Sequence, residues 1–262
     1  MSLDGVPAIA ILAAAGVYVR GWIRLSQRMP GGHPAARLAA FLAGLAIALL
    51  AVSSPLHSLA GRLLQAHMVQ HMLLIMVAPS LLWLGAPWAP MLLGLPRPFR
   101  LAAAAILGAA PLRRLGRALA SPGLAWVSFS AVLWAWHTPM LYDLALRSDL
   151  WHHIEHACFG AAGLLFWRPV IVPWPARPIW SRWAMVAYLL LADAQNTALA
   201  AVLTFSDRVI YSAYESAPRV WAISALEDQS VAGVIMWVPG SAMFLVAVAW
   251  VLVGAWPRRA LQ

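Results

Sequence analysis

Leu63-Leu64-Gln65-Ala66-His67-Met68-Val69-Gln70-His71-Met72-Leu73-Leu74-Ile75-Met76-Val77-Ala78-Pro79-Ser80-Leu81-Leu82-Trp83 is the stretch that decides how this chain is read, and it ends on the break Leu84-Gly85-Ala86-Pro87. About 20 residues at a rise of ~1.5 Å cross the ~30 Å hydrocarbon core of a bilayer as a helix, so the stretch reads as a transmembrane span. It nevertheless carries His67 and His71, and a separation of one helical turn puts both imidazoles on one face. An ionisable group inside a span is costly, which signals function and implies a partner on another helix.

The composition around this stretch agrees with it. Of 262 residues, 63% are hydrophobic and only 10% charged, against roughly 25% in a soluble domain. The expected fold is therefore all-α: a polytopic membrane protein, one transmembrane domain over residues 1–262, built as a bundle of seven helices. The seven apolar segments run from Pro7 to Leu25, Ala36 to Val52, Leu63 to Trp83, Gly123 to Trp136, Leu150 to Val172, Trp183 to Phe205 and Ser230 to Trp256. Only Asp4 precedes the first, with no basic region and no A-x-A cleavage site, so it reads as a span and not as a removed signal peptide. Residues 85–122, interrupted by Pro87, Pro90, Pro96, Pro98 and Pro111, form a proline-rich connection. Its apolar run from Leu101 to Ala110 is too short to cross and is expected to lie at the interface or to re-enter.

Orientation follows from the arginines, which account for every basic residue. Arg20, Arg24, Arg28, Arg37, Arg97, Arg100, Arg113, Arg114, Arg117, Arg168, Arg177, Arg182, Arg258 and Arg259 fall on one side, and Arg62, Arg147, Arg208 and Arg219 on the other. The positive-inside rule then puts the N-terminus outside, and the C-terminus and residues 85–122 in the cytoplasm. In so apolar a chain the net charge of +9 reports orientation, and no nucleic-acid partner is expected; the bilayer is. The single Cys158 excludes an internal disulfide framework and any C-x-x-C motif, leaving metal chemistry to histidine, carboxylate and methionine.

With this topology, His33 is cytoplasmic, while His57, His67, His71, His137, His152, His153 and His156 gather at the outer face. Any one of them is as readily a carbonyl-paired or interfacial histidine; the shared side and depth tips the balance. In Trp151-His152-His153-Ile154-Glu155-His156 the helix period puts His152, Glu155 and His156 on one face and turns His153 by ~100°. Two imidazoles from each of two helices supply four nitrogen ligands, His67, His71, His152 and His156. Glu155 would orient a ring or ligate directly, and His137, beside Pro139, is the next candidate. Met68, Met72 and Met76 form a stripe on the third span. Thioether suits Cu(I), yet such a stripe is more often packing, and only Met68 and Met72 lie near the histidine face. Asp193, Asn196 and Thr197 share a face of the sixth span near mid-membrane, either as a hydrogen-bonded core or as a proton or ion relay. Asp228 and Gln229, at the outer start of the last span, are within reach of the histidines.

Four segments, in order, carry a resemblance. They are His67-Met68-Val69-Gln70-His71 with the later Leu84-Gly85-Ala86-Pro87; Trp136-His137-Thr138-Pro139-Met140-Leu141-Tyr142-Asp143; His152 to His156 leading to Phe166-Trp167; and Asp228-Gln229 before Gly233-Val234-Ile235-Met236-Trp237-Val238-Pro239-Gly240. Together they resemble the CtaG family, the polytopic bacterial family tied to assembly of caa-type cytochrome c oxidase. The resemblance implies a multi-pass, seven-span protein of the bacterial cytoplasmic (inner) membrane, needed for a functional oxidase and acting by delivering or inserting copper. Its partners would be cytochrome c oxidase subunits and a periplasmic copper donor. By position the matching polar residues are His67, His71, His137, His152, Glu155, His156 and Asp228; His57 and His153 match less closely. The expected metal is copper, as Cu(I), with zinc, iron or haem as alternatives, and the expected role is a metallochaperone or assembly factor, not an enzyme.

Three other readings compete. A di-iron hydroxylase or desaturase also uses H-x-x-x-H boxes but needs more histidines and a cytoplasmic reductant. The H-x-x-E-H spacing echoes an inverted zinc-protease motif, without a soluble catalytic domain beside it. Haem could bind between the third and fifth spans through axial histidines. A scaffold that binds oxidase subunits without metal is a fourth possibility for the same fold.

Overall fold

A computed structural model of the chain describes residues 5–29, 32–53, 55–173, 175–218, 220 and 222–253. Asp4, Arg219, Arg258, Arg259 and the expected end of the last segment at Trp256 lie outside them. Among the described residues there is no strand. The helices are α1 Gly5–Arg28, α2 Ala35–Val52, α3 Pro55–Ala60, α4 Leu64–Met72, a π-helical turn Leu73–Val77, α5 Ala78–Leu84, α6 Trp88–Gly94, α7 Arg97–Gly108, α8 Ala110–Leu119, α9 Pro122–Trp136, α10 Pro139–Arg147, α11 Asp149–Ile171, α12 Arg182–Phe205 and α13 Ala225–Leu252.

Five helices are long and apolar enough to cross a membrane, Val6–Arg28, Ala35–Val52, Leu64–Leu84, Arg182–Phe205 and Ala225–Leu252, or up to six if Ala110–Leu119 and Pro122–Trp136, bent by 67°, form one span. The other two expected segments do fold as helices, but each falls short alone. With 15 residues, α9 is too short. With 23 residues, α11 is long enough, but His152, His153, Glu155 and His156 dilute its apolarity. The proline-rich connection is itself helical as α6, α7 and α8, and the last two bury no side chain.

The main core is formed where α4, the π turn and α5 pack among α9, α11, α12 and α13, around Phe129, Phe159, Phe166, Trp167, Tyr188 and Phe244. A smaller cluster, Tyr18, Phe41 and Leu45, joins α1 to α2. The π turn has a local cause in Pro79, which has no N–H to give the carbonyl four residues back and whose ring would crowd it. That carbonyl belongs to Ile75, and it accepts the Trp167 indole N–H at 3.0 Å. Gly163 lets α11 approach at this point, since a Cβ there would stand 2.5 Å from the same Ile75 oxygen. The proline, the widened turn and the glycine together set how α11 is rotated against the span that carries His67 and His71.

The polar residues midway along α12 join helices. Ser241 on α13 donates to Asp193 Oδ1 at 2.6 Å and lies 3.4 Å from Thr197 Oγ1. Asn196 Nδ2 donates to Met236 O at 3.0 Å, and Gln195 Nε2 donates to Ser130 on α9 at 2.7 Å. These bonds tie α12 to α9 and α13.

Candidate metal centre

The site stands at one end of the bundle, where the first turns of α4 and α11 face each other. His67 and His71 project from consecutive turns of α4, and His152, Glu155 and His156 from the facing side of α11. His67 and Glu155 are fully buried, and His71 and His156 are 3% and 7% exposed. One ligand atom from each of His67, His152, Glu155 and His156 lies within 4.8 Å of all the others. Donors around a tetrahedral ion with bonds of ~2.0–2.1 Å sit ~3.3 Å apart, so side-chain rotations of under a bond length close this group on an ion. His71 stands at its edge, with its Nε2 2.8 Å from His67 Nε2 and 3.4 Å from Glu155 Oε1. Sequence spacing favours four imidazoles; the compact group has three imidazoles and the Glu155 carboxylate.

Hydrogen bonding fixes which nitrogen of His67 is available. Tyr214 donates its hydroxyl proton to Ala60 O at 2.8 Å, so its contact with His67 Nδ1 at 3.1 Å has the ring as donor. The proton is therefore on Nδ1, and Nε2 accepts from His71 Nε2 at 2.8 Å, with Glu155 Oε2 3.3 Å away. Burial holds the Tyr214 phenol well above its usual pKa, which keeps it a neutral orienting group. His137, the residue that ends α9, donates from Nδ1 to Leu133 O at 2.7 Å, leaving its Nε2 buried without a partner. Its ring is 6.1 Å from that of His71. Further buried atoms without hydrogen bonds are Nδ1 of His57 and His71 and Nε2 of His152 and His156; the two Glu155 oxygens have no close hydrogen bond either, but stand within ion-pair distance of His67 and His71 Nε2. Buried polar atoms normally find partners, and such a concentration of unpaired acceptors and lone pairs is what a cation site requires.

The remaining candidates divide. His57 on α3 stacks on His152 with ring centres 5.1 Å apart. His153 donates from Nδ1 to Asp149 O at 2.6 Å. Both reach a cavity of about 310 Å³ whose wall also includes His152, His156 and, from α1, Pro7, Ala10 and Ile11. Met68, Met72 and Met76 line, with His71 and His137, a space of only about 10 Å³. Asp228 takes a different part: its carboxylate accepts Leu64 N at 2.7 Å and Gln65 N at 3.2 Å, capping α4 from another helix and fixing where the His67 helix begins.

Sequence reasoning missed the tyrosines. Tyr211 and Tyr214 come from the connection between α12 and α13, are buried, and close the end of the bundle over the imidazoles. Tyr211 donates to His137 O at 3.1 Å and stacks on Tyr142 with centres 3.9 Å apart. Gln229 holds that connection in place by accepting from Ile210 N at 2.7 Å. The trans cap did leave a sequence signal. Leu63 precedes α4 where a side-chain cap would stand, so the acceptor had to come from elsewhere.

Comparison with known proteins adds relatives and a family. Uncharacterized proteins of Mycobacterium bovis and Mycobacterium tuberculosis are each 28% identical over 246 residues, covering 87% of this chain and 36% of the relative. One of Mycobacterium leprae is 26% identical over 267 residues, covering 97% and 39%. The chain thus spans little more than a third of the length of these relatives. No solved structure matches. The sequence profile of the cytochrome c oxidase caa3 assembly factor family, Caa3_CtaG, matches residues 16–258, nearly the whole chain, and the protein belongs to that family.

Proposed function

We propose that the protein binds copper, as Cu(I), among His67, His71, His152, His156 and Glu155 and passes it to a haem-copper oxidase during assembly. The observation that carries this is the convergence of unpaired, buried donor atoms from α4 and α11 on one point. Imidazole suits copper, zinc and iron alike, so the donors alone do not select copper; the family's link to an oxidase of the haem-copper class favours it. In this proposal α9 and α11 cross the membrane with the five long apolar helices, the N-terminus is outside, and the C-terminus is cytoplasmic. The histidine end then faces the periplasm. His57, His137 and His153 serve as exchange ligands, and the cavity of about 310 Å³ beside His152 and His156 is the route by which a periplasmic donor delivers the ion.

Metal analysis of the detergent-purified chain tests the proposal, together with oxidase activity in a strain lacking it. Near-stoichiometric copper is expected in the wild type and background levels in His67→Ala and His156→Ala, with both variants still inserted and monodisperse. Wild-type copper in both variants sinks the site. Zinc or iron in place of copper, or a Soret band, keeps the site and overturns the metal.

A further inference from the structure

The other end of α1 holds a cavity that the histidine cluster does not touch. Ile11 lines the histidine-side cavity, and the 17 residues from there to Arg28 carry the helix ~26 Å to the opposite end of the bundle. A cavity of about 330 Å³ opens at that end, lined by Arg24, Gln27 and Arg28 from the last turns of α1 and by Arg97 and Arg100 from the start of α7. Four guanidiniums line it and no carboxylate does. Like charges gathered this way repel one another, and an anion between them reverses the sign of the interaction.

The packing around this cavity is specific. A Cβ on Gly21 would stand 1.7 Å from Pro90 O, and one on Gly94 would stand 1.8 Å from Val17 O. The backbones of α1 and α6 therefore touch at two points. Arg24 adds a bond from Nη1 to Leu93 O at 2.8 Å. These contacts pin the end of α6, and with it the first turn of α7, against the last turns of α1. Beyond the cavity, α7 and α8 display Phe99, Leu101, Ile106, Leu107, Leu112 and Leu115, which no other described residue covers fully. On α8 the arginines Arg113, Arg114 and Arg117 alternate with those leucines in an amphipathic pattern. Helices of this kind rest in the headgroup layer with their apolar faces toward the acyl chains.

We propose that the Arg24, Arg28, Arg97 and Arg100 cavity binds the phosphate of an anionic phospholipid headgroup drawn from the surrounding bilayer. Guanidinium recognises phosphate through paired, charge-assisted hydrogen bonds, and a basic pocket at the end of a transmembrane helix is where acidic lipids are held. A free phosphate has the same chemistry. The lipid is favoured because the uncovered apolar helices bordering the cavity set its mouth at headgroup depth.

Native mass spectrometry of the full chain in detergent tests this with dioleoylphosphatidylglycerol, dioleoylphosphatidylcholine and inorganic phosphate as probes. The wild type should retain the phosphatidylglycerol and not the phosphatidylcholine. Arg97→Gln with Arg100→Gln should lower that retention roughly tenfold or more, while Arg113→Gln with Arg114→Gln on α8 leaves it near wild type. Gln27→Glu, at an exposed position, should expel the lipid by placing a carboxylate in the cavity, and it keeps the test decisive if the double variant fails to fold. Unchanged retention in the cavity variants, or equal loss in the α8 pair, overturns the site. Displacement of the lipid by millimolar inorganic phosphate overturns the lipid assignment.

Discussion

At the histidine end of the bundle His67, His71, His137, His156 and Glu155 are buried, neutral acceptors orient two of the rings, and the remaining ring nitrogens and the carboxylate aim at one another. At the arginine end, Arg28 and Arg97 stand exposed, Arg24 and Arg100 half-buried, around a cavity wide enough for a molecular anion. The difference follows from what each group can do without water. A neutral imidazole survives burial once one nitrogen has a hydrogen-bond partner, as His67 has in Tyr214 and His137 in Leu133 O, leaving the other as a lone pair for a small cation. A guanidinium keeps its charge, and its desolvation is tolerable only at the edge of the membrane or against an anion. Buried imidazoles therefore mark one end of this bundle, and exposed or half-buried guanidiniums line the cavity at the other.

The largest expected effect that sharpens this comparison is at Asp228. Asp228→Ala leaves the Leu64 and Gln65 N–H groups without their acceptor at a buried helix start, and should cost about 3 kcal/mol, read as loss of thermal stability in detergent. Asp228→Asn, which retains one acceptor, should recover part of that loss. Equal stability of Asp228→Ala and wild type would mean the cap does not fix α4. Next comes Gly21→Ala, which drives a methyl group into Pro90 O and should destabilise by ~1–3 kcal/mol. It should separate α1 from α6 and leave metal content unchanged, since the two ends are built from different contacts.

Tyr214→Phe removes the acceptor for His67 Nδ1–H while keeping the ring. Lost outer partners of a ligating histidine typically cost 10–100-fold, and a drop of ~10-fold in metal affinity by competitive chelator titration is expected. Unaltered affinity would show that the tautomer is set by something else. The smallest effect lies on the arginine side of the fold, where burial first, and then the Arg37 charge, hold the His33 pKa below its ordinary value. Arg37 Nη1 donates to His33 Nδ1 at 3.1 Å, so a second ring proton has no place there. With the folded value lowered, the stabilising contribution is intact above the unfolded pKa of ~6.5 and is lost as pH falls toward the lower folded value. Thermal stability followed from pH 8 to 5 should fall less steeply in His33→Gln than in wild type; identical slopes would remove His33 from the account.

Much of the site was legible in the chain because helical periodicity converts spacing into a shared face. His67 with His71, and His152 with Glu155 and His156, could be grouped on that ground alone. Met68 and Met72 were equally legible as a stripe, and they line the adjacent small space beside His71 and His137. What spacing could not supply was everything that acts across the chain. Tyr214 lies in an aperiodic connection, and its bond to His67 spans 147 positions. Asp228 reads as a polar residue near the site, while its role as a cap depends on where α4 begins. The apolar count found α1, α2, α12 and α13 readily, but it undervalues α11 because the residues that build the site are the ones that lower its hydropathy.

Sequence by itself determined that this is a helical membrane protein of the CtaG type, with imidazoles on one face of each of two helices and arginines gathered at the opposite ends of its spans. The CtaG type rests on the resemblance of four motif segments; the other properties follow from apolar length, a period of ~3.6 residues and the cost of charge in hydrocarbon. Tertiary structure alone decided which faces meet and which nitrogen of each ring is free. A helix fixes the angles among its own side chains and leaves open its rotation against a neighbour. Here that rotation is set by close packing at Pro79, Ile75 and Gly163, and the tautomer of His67 by a tyrosine hydroxyl already committed to Ala60.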